Sequence, residues 1–467
     1  MKTEKIPAGY NKNIILFLVI LTSVVNPFLG AAVNIAIPSI ATEFDMNAVS
    51  TGWIAMAFLL SSAVFLVPFG KAADIVGRKK VFLYGVMIVT LSSLLCALSS
   101  SGMMLIASRI LQGMGSAMMF GTGMAIITSA FPASERGKAI GYTVSAVYLG
   151  LSVAPFLGGL LTEYFGWRSL FIITIPFGLA VVLITVFAVK TEWAEARGEK
   201  FDYPGSAIYM IAVAVFMYGF SKLPDSHAIV LTALGVAGIL GFISIELRLT
   251  YPVMNIHLFK NNRVFAFSNL AALINYAATF AITFVLSLYL QYIKGLSPKE
   301  AGILMVTQPL VMMVVATFSG RMSDRYDPRI LSSLGMAIIS AGLVFLSFLN
   351  ATTANSYIVS SLVVLGTGFG LFSSPNTNSI MSSVERKFLG VASATVGTMR
   401  LTGQMVSMGI ATMVLNVFIG DAKITGANHH LFIQSTKIIF ILFSILCFMG
   451  VFASLARGKR QVNNPAD

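Results

Sequence analysis

The sequence predicts an all-α polytopic membrane protein of fourteen transmembrane helices, and three observations lead there. Apolar residues make up 57% of the 467 positions and charged residues 10%, whereas a soluble domain carries roughly 25% charged residues to solvate its surface. The apolar residues also gather into fourteen runs, near 13–38, 50–70, 81–99, 103–130, 139–161, 169–190, 204–221, 227–247, 264–292, 300–320, 330–349, 356–376, 389–417 and 435–456. A helix needs about 20 residues to cross the hydrocarbon core, so each run is of spanning length. Finally, the cations alternate. With both termini on the inner side, 23 of the 31 Lys and Arg fall in inner segments and 6 in outer ones, with Arg109 and Arg400 inside spans. That bias predicts cytoplasmic termini.

Taken in order, the first run follows a basic start and is too long for the apolar part of a signal peptide, so it counts as the first span. The second run closes on Gly70-Lys-Ala-Ala-Asp74, and the third follows the basic loop Gly77-Arg78-Lys79-Lys80. Gly320-Arg-Met-Ser-Asp324 closes the tenth run in the same way, with Arg325 and Arg329 after it. If runs seven and eight are an insertion, both loops join the second and third helices of two six-helix halves. The expected domains are therefore 13–190, an inserted pair at 204–247, and 264–456. Duplicated halves with a midplane site between them are a transporter architecture.

The composition and motifs exclude several functions. The net charge of +13 is accounted for by inner-loop cations, so nucleic acid is not an expected partner. Cys96 and Cys447 lie in apolar runs, with neither metal-ligand nor disulfide-framework spacing. The acidic residues are scattered and no phosphate-binding loop, zinc or hydrolase motif occurs. Neither an enzyme, ATP-driven transport, a metal site nor a cofactor is expected.

Several segments carry a resemblance. Gly70 through Lys80 resembles the signature loop between helices 2 and 3 of the major facilitator superfamily. Ser108-Arg109-Ile-Leu-Gln112-Gly-Met-Gly115 is similar to that family's helix-4 motif. Gly150-Leu-Ser-Val-Ala154-Pro155-Phe-Leu-Gly158-Gly159 is similar to the helix-5 motif of its antiporters, with Ala154 replacing a glycine. Trp167-Arg168 resembles the pair that opens helix 6, and Thr174 stands where Asn is common. The branch resembled is the fourteen-helix drug:proton antiporters (EmrB/QacA-type), over residues 13 to 456.

The resemblance implies a major facilitator fold of two six-helix pseudo-repeats plus two inserted helices. It implies a secondary transporter exporting small hydrophobic or amphipathic compounds by proton antiport, in a plasma membrane. It assigns Gly70, Asp74, Gly77, Arg78, Gly320, Asp324 and Arg325 to a cytoplasmic gate, with Gly70 letting two helices approach closely. Arg109, Gln112 and Arg400 are candidates for coupling or substrate contact, because a guanidinium within a span costs roughly 2.5–3.5 kcal/mol and is retained for a partner or a cavity. A structural Arg109 bonded to neighbouring carbonyls is the alternative. Gly150, Pro155, Gly158 and Gly159 are expected to form a kinked, closely packed helix. Asn26, Asn34, Asn275, Gln308, Asn376 and Gln404 are candidates for lining the cavity, as against hydrogen bonding between helices.

The sequence departs from the branch at one position. The acidic residue common in its first helix is replaced by Leu29, and all 18 acidic residues fall in loops, at span ends or in the tail. Proton antiport then lacks a mid-membrane carrier, since coupling needs a group whose pKa moves across the working pH. Glu163, Asp45 or Asp74 could titrate instead, or the protein could be an uncoupled facilitator or uptake carrier. An unpaired cation is costly in a dry pocket, so neutral or anionic hydrophobic solutes are the expected substrates.

Overall fold

The structure is a computed structural model that describes residues 11–249, 259–260, 262–323, 325–385 and 389–458. Among these, fourteen helices are long and apolar enough to cross a membrane. They are α1 (Lys12–Glu43), α2 (Ala48–Val76), α3 (Arg78–Ala97), α4 (Gly102–Ala130), α5 (Glu135–Phe165), α6 (Ser169–Ala188) and α7 (Tyr203–Ser221). The rest are α8 (Ser226–Glu246), α9 (Arg263–Ile293), α10 (Pro298–Met322), α11 (Pro328–Leu346), α12 (Asn355–Ser382), α13 (Val391–Phe418) and α14 (Gly426–Ala456). The fold is all-α, as the composition requires, because a spanning segment must satisfy its backbone polar groups internally.

Local chemistry sets the ends. Asn47, Ser101, Asp202 and Asn262 accept backbone N–H groups at the starts of α2, α4, α7 and α9, and Ser297 with Glu300 forms a capping box on α10. Gly77 separates α2 from α3 with φ of +131°, a conformation that side chains disfavour. Three spans are interrupted: α6 at Ile173, α9 at Phe280 and α10 at Val306. In α10 the cause is Pro309, which has no N–H and whose ring opposes the Met305 carbonyl. In α9 the first amide past the break, that of Ala281, donates to Ser407 Oγ on α13 at 3.0 Å.

The two six-helix halves pack alike. In the first, α1 packs on α5, α2 on α4, and α3 on α4 and α6; in the second, α9 packs on α13, α10 on α12, and α11 on α12 and α14. The repeat reaches single residues. A Cβ on Gly85 or Gly115 would meet the other's carbonyl oxygen at 2.9 and 2.8 Å, and Gly335 and Gly368 stand in the same relation at 2.7 Å each. The halves meet along two seams, α2 against α13 and α5 against α10. The inserted pair breaks the symmetry. α7 and α8 pack on each other, and α7 lies against both α2 and α13, where Tyr209 Oη donates to the Ala63 carbonyl at 3.1 Å and Asn416 Nδ2 to that of Leu223 at 3.2 Å.

Candidate functional site

Each helix crosses once, so α1 begins and α14 ends on one face, called here the terminal face; the other is the far face. Between the halves lies a cavity in connected chambers. A chamber of about 980 Å³ reaches from the middle toward the terminal ends of α12 and α13, bordered by Asn26, Phe120, Tyr148, Tyr276, Met381 and Arg400. A second, of about 920 Å³, lies at mid-span and is bordered by Asn34, Tyr148, Asn275, Tyr276, Phe280, Gln308 and Gln404. A smaller space bordered by Asn26, Phe58, Phe120, Arg400 and Gln404 joins them. Among the described residues bordering these chambers, Arg400 is the one charged side chain, and its guanidinium lies 4.5 Å from the centre of the Phe120 ring, a cation–π distance.

Five of the six amide side chains expected to line the cavity do so. Asn376 does not. It is buried in the second half near the terminal face, where Nδ2 donates to the Ser268 carbonyl at 3.1 Å and Oδ1 accepts from Arg457 at 3.2 Å. Arg457 also donates to Ser268 Oγ and to Ser454. Burial pushes its guanidinium down to about 10, against the pull of Asp327, so it stays cationic at neutral pH. Asn376 is thus a structural partner of a buried cation.

The far face is closed. Gln291 Nε2 on α9 donates to the Ile35 carbonyl on α1 at 2.9 Å, and Lys299 on α10 donates to Tyr164 Oη on α5 at 2.7 Å. The Ala48 amide donates to the Ala422 carbonyl at 3.1 Å, and Lys423 pairs with Asp45. The helix-5 motif takes part. A Cβ on Gly150 would lie 2.3 Å from the Val24 carbonyl oxygen of α1, and one on Gly159 would lie 2.5 Å from that of Pro298 on α10. In return, a Cβ on Gly302 of α10 would lie 2.4 Å from the Pro155 carbonyl oxygen. Gly158 packs on Ala32. The motif therefore fixes α5 to its own half and to the opposite one.

Arg109 is fully buried and borders none of these chambers. It donates to the Ile54 carbonyl at 3.2 Å, the Leu29 carbonyl at 3.3 Å and Gln112 Oε1 at 2.5 Å. Its face rests 4.3 Å from the centre of the Phe58 ring, and Phe58 borders the joining space. Gln112 Nε2 passes the chain to Ser93 at 2.8 Å, which Thr174 meets at 3.3 Å beside the break in α6. Arg109 and Gln112 thus form a buried network behind the cavity wall, with no carboxylate among its hydrogen-bond partners.

At the terminal face Arg78 donates to Asp74 at 2.7 Å and grips both carboxylate oxygens of Glu195, at 2.6 and 2.9 Å. It also donates to Ser129 Oγ and the Ala125 carbonyl. Burial raises the Glu195 pKa, but Arg78 and Ser129 outweigh burial and hold the carboxyl below its ordinary range. Glu192 accepts the Lys79 amide at 2.8 Å, occupies the space a Cβ on Gly77 would need, and Glu199 pairs with Lys71 at 2.6 Å. The linker at 189–202 is thereby strapped onto the loop between α2 and α3. Those acidic partners were legible only as Glu192, Glu195 and Glu199 spaced three and four apart, opposite a basic loop that the chain order does not identify. A Cβ on Gly121 of α4 would lie 3.7 Å from the Gly70 Cα, so α2 and α4 run close together at this glycine, although a Cβ on Gly70 itself meets nothing within 4 Å. Gly320 packs on Ser374 Oγ, Arg325 is exposed, and Asp324 lies outside the described residues.

Two six-helix repeats about a central cavity narrow the comparison, and a family profile decides it. The profile of the Major Facilitator Superfamily matches residues 19–408 and 268–466. The chain belongs to that superfamily. It is a multi-pass membrane transporter and not an enzyme. The chain is 29% identical to the riboflavin transporter RibZ of Clostridioides difficile over 452 residues, 95% of this chain and 97% of that one. It is also 29% identical to the tetracenomycin C resistance and export protein of Streptomyces glaucescens over 394 residues, 83% of this chain and 72% of that one. The fold matches a bacterial homolog of the human lysosomal transporter Spinster, solved inward-facing and unoccupied, with a TM-score of 0.69, 16% identity and coverage of 96% and 97%.

Proposed function

We propose that this facilitator exports small, uncharged or anionic hydrophobic compounds by alternating access. The observation that carries the proposal is the cavity between the halves, sealed at the far face and extending toward the terminal face. With the termini in the cytoplasm, as the cation bias favours, this is an inward-facing arrangement that loads solute from the cytoplasm or inner leaflet. A mid-span chamber with aromatic walls and a few polar side chains suits a hydrophobic organic molecule. The named export of an antibiotic by one relative supports the direction. Asp74, Arg78 and their linker partners act as a latch whose contacts change as the terminal face closes.

Proton antiport is the coupling expected of the branch, and uncoupled facilitation is the second reading. The second is favoured by one observation: no acidic side chain borders the chambers among the described residues. Transport of hydrophobic solutes in proteoliposomes, with and without an imposed pH gradient, tests both. Uphill accumulation that collapses with the gradient, and that Asp74→Asn abolishes without slowing equilibration, establishes antiport through the terminal-face carboxylate. Equilibration indifferent to the gradient establishes facilitation, and no movement of any solute overturns the transport proposal.

A further inference from the structure

Within the mid-span chamber the side chains of Asn34 on α1 and Asn275 on α9 have no protein hydrogen-bond partner for either the amide nitrogen or the amide oxygen, although both residues are fully buried. Ser373 Oγ, bordering the same chamber from α12, is also without one. An unmet buried polar atom costs on the order of 1–3 kcal/mol, so four amide atoms and a hydroxyl beside one cavity are a standing demand for donors and acceptors. Asn26 and Arg109 each leave a single atom unmet; Asn34 and Asn275 leave the whole amide. Each amide offers an NH2 donor group and a carbonyl acceptor side by side. The walls around them are aromatic, with Tyr148, Tyr276 and Phe280, and the described residues of this chamber include no charged side chain.

We infer that Asn34 and Asn275 form a recognition pair for the amide or imide edge of a neutral, planar heteroaromatic substrate, whose ring plane the aromatic walls hold. A cation is disfavoured because no carboxylate answers it, and a purely apolar solute because it would leave both amides unmet. Because the pair belongs to opposite halves, a bound edge ties α1 to α9, and occupancy bears directly on their relative motion. The inference rests on the transporter reading, since it names what that cavity selects.

The test is binding of 1,8-naphthalimide and N-methyl-1,8-naphthalimide, which differ in whether the imide can donate, to the purified full chain in nanodiscs by fluorescence titration. The expected result is at least about tenfold tighter binding of the unmethylated imide. Asn34→Leu or Asn275→Leu brings the two compounds within about twofold, with the methylated compound bound as in the parent, which also reports a folded variant. Equal binding of the two compounds by the parent, binding of neither, or undiminished discrimination in both variants overturns the recognition pair. Proteoliposomes separate the two levels. If the methylated compound is transported but the parent does not discriminate, export stands and the recognition pair falls. If discrimination holds and nothing is transported, the pair stands and the export reading falls.

Discussion

The Arg109 guanidinium donates to the backbone carbonyl of Leu29 across 3.3 Å, the first-helix position at which the resemblance to the antiporter branch leads one to expect an acid. No carboxylate is among the hydrogen-bond partners of this buried cation. Carbonyls of α1 and α2, the Gln112 amide and the Phe58 face hold it, and Nη2 meets no protein acceptor. Neutral partners can hold a guanidinium, but they cannot exchange a proton with it at working pH.

Introducing an acid at this position is therefore informative. Leu29→Asp places a carboxylate on the residue whose carbonyl Arg109 already touches. The expected outcome is transport whose rate and final accumulation depend several-fold more on an imposed pH gradient than in the parent. Paired flux measurements at matched and opposed pH check it.

Removing the cation should act through packing and positioning. Arg109→Ala deletes three hydrogen bonds, two that tie α4 to α1 and α2 and one to Gln112 on α4 itself, with a stability loss of about 1–3 kcal/mol and transport reduced more than about tenfold. Arg109→Lys keeps the charge but not the planar fork, and is expected to recover stability only in part. Thermal unfolding in detergent, alongside transport, distinguishes the two.

The linker strap is pH-dependent with a defined sign. The folded Glu195 pKa lies below its ordinary value, so the stabilisation is complete above the unfolded value of about 4.3 and is lost as the pH falls through the folded value. Limited proteolysis within 189–202 is expected to be slow at neutral pH and to quicken in acid. Glu195→Gln should be cut readily at both, because its neutral amide cannot replace the two-oxygen grip on Arg78.

At Gly302 the seam between α5 and α10 rests on close backbone contact. Gly302→Ala would set a methyl 2.4 Å from the Pro155 carbonyl oxygen, where rigid backbone offers no room. The expected effect is separation of α5 from α10 at the far face. A Thr283→Cys reporter in the mid-span chamber should then react several-fold faster with an impermeant maleimide from that face. Cys96 and Cys447 are free but buried, which keeps the background low.

How far the sequence reached differs from residue to residue. The fourteen spans were legible because membrane crossing is written into local composition. Gly150 and Gly159 were legible because close packing demands small residues at a helical spacing. Asn376 was misplaced because an intramembrane Asn looks the same whether it faces a cavity or a neighbouring helix; only the position of Arg457 decides. The break in α6 has Pro176 three residues on, the offset that Pro309 has from the break in α10, whereas the break in α9 carries no proline and depends on a partner on another helix, Ser407.

By itself the sequence determined that this is a helical membrane transporter of two repeated halves, with its cations biased toward one face. Hydrophobic length, charge bias and repeated motifs are properties of short segments, so they survive being read in a line. Tertiary structure decided which buried polar groups satisfy each other and which border the cavity. It turned Arg109 toward Leu29 and Gln112, bound Arg78 to Glu195 across the chain, and left Asn34 and Asn275 without protein partners. A hydrogen bond depends on distance and direction between groups far apart in sequence, and those are fixed only when the helices pack.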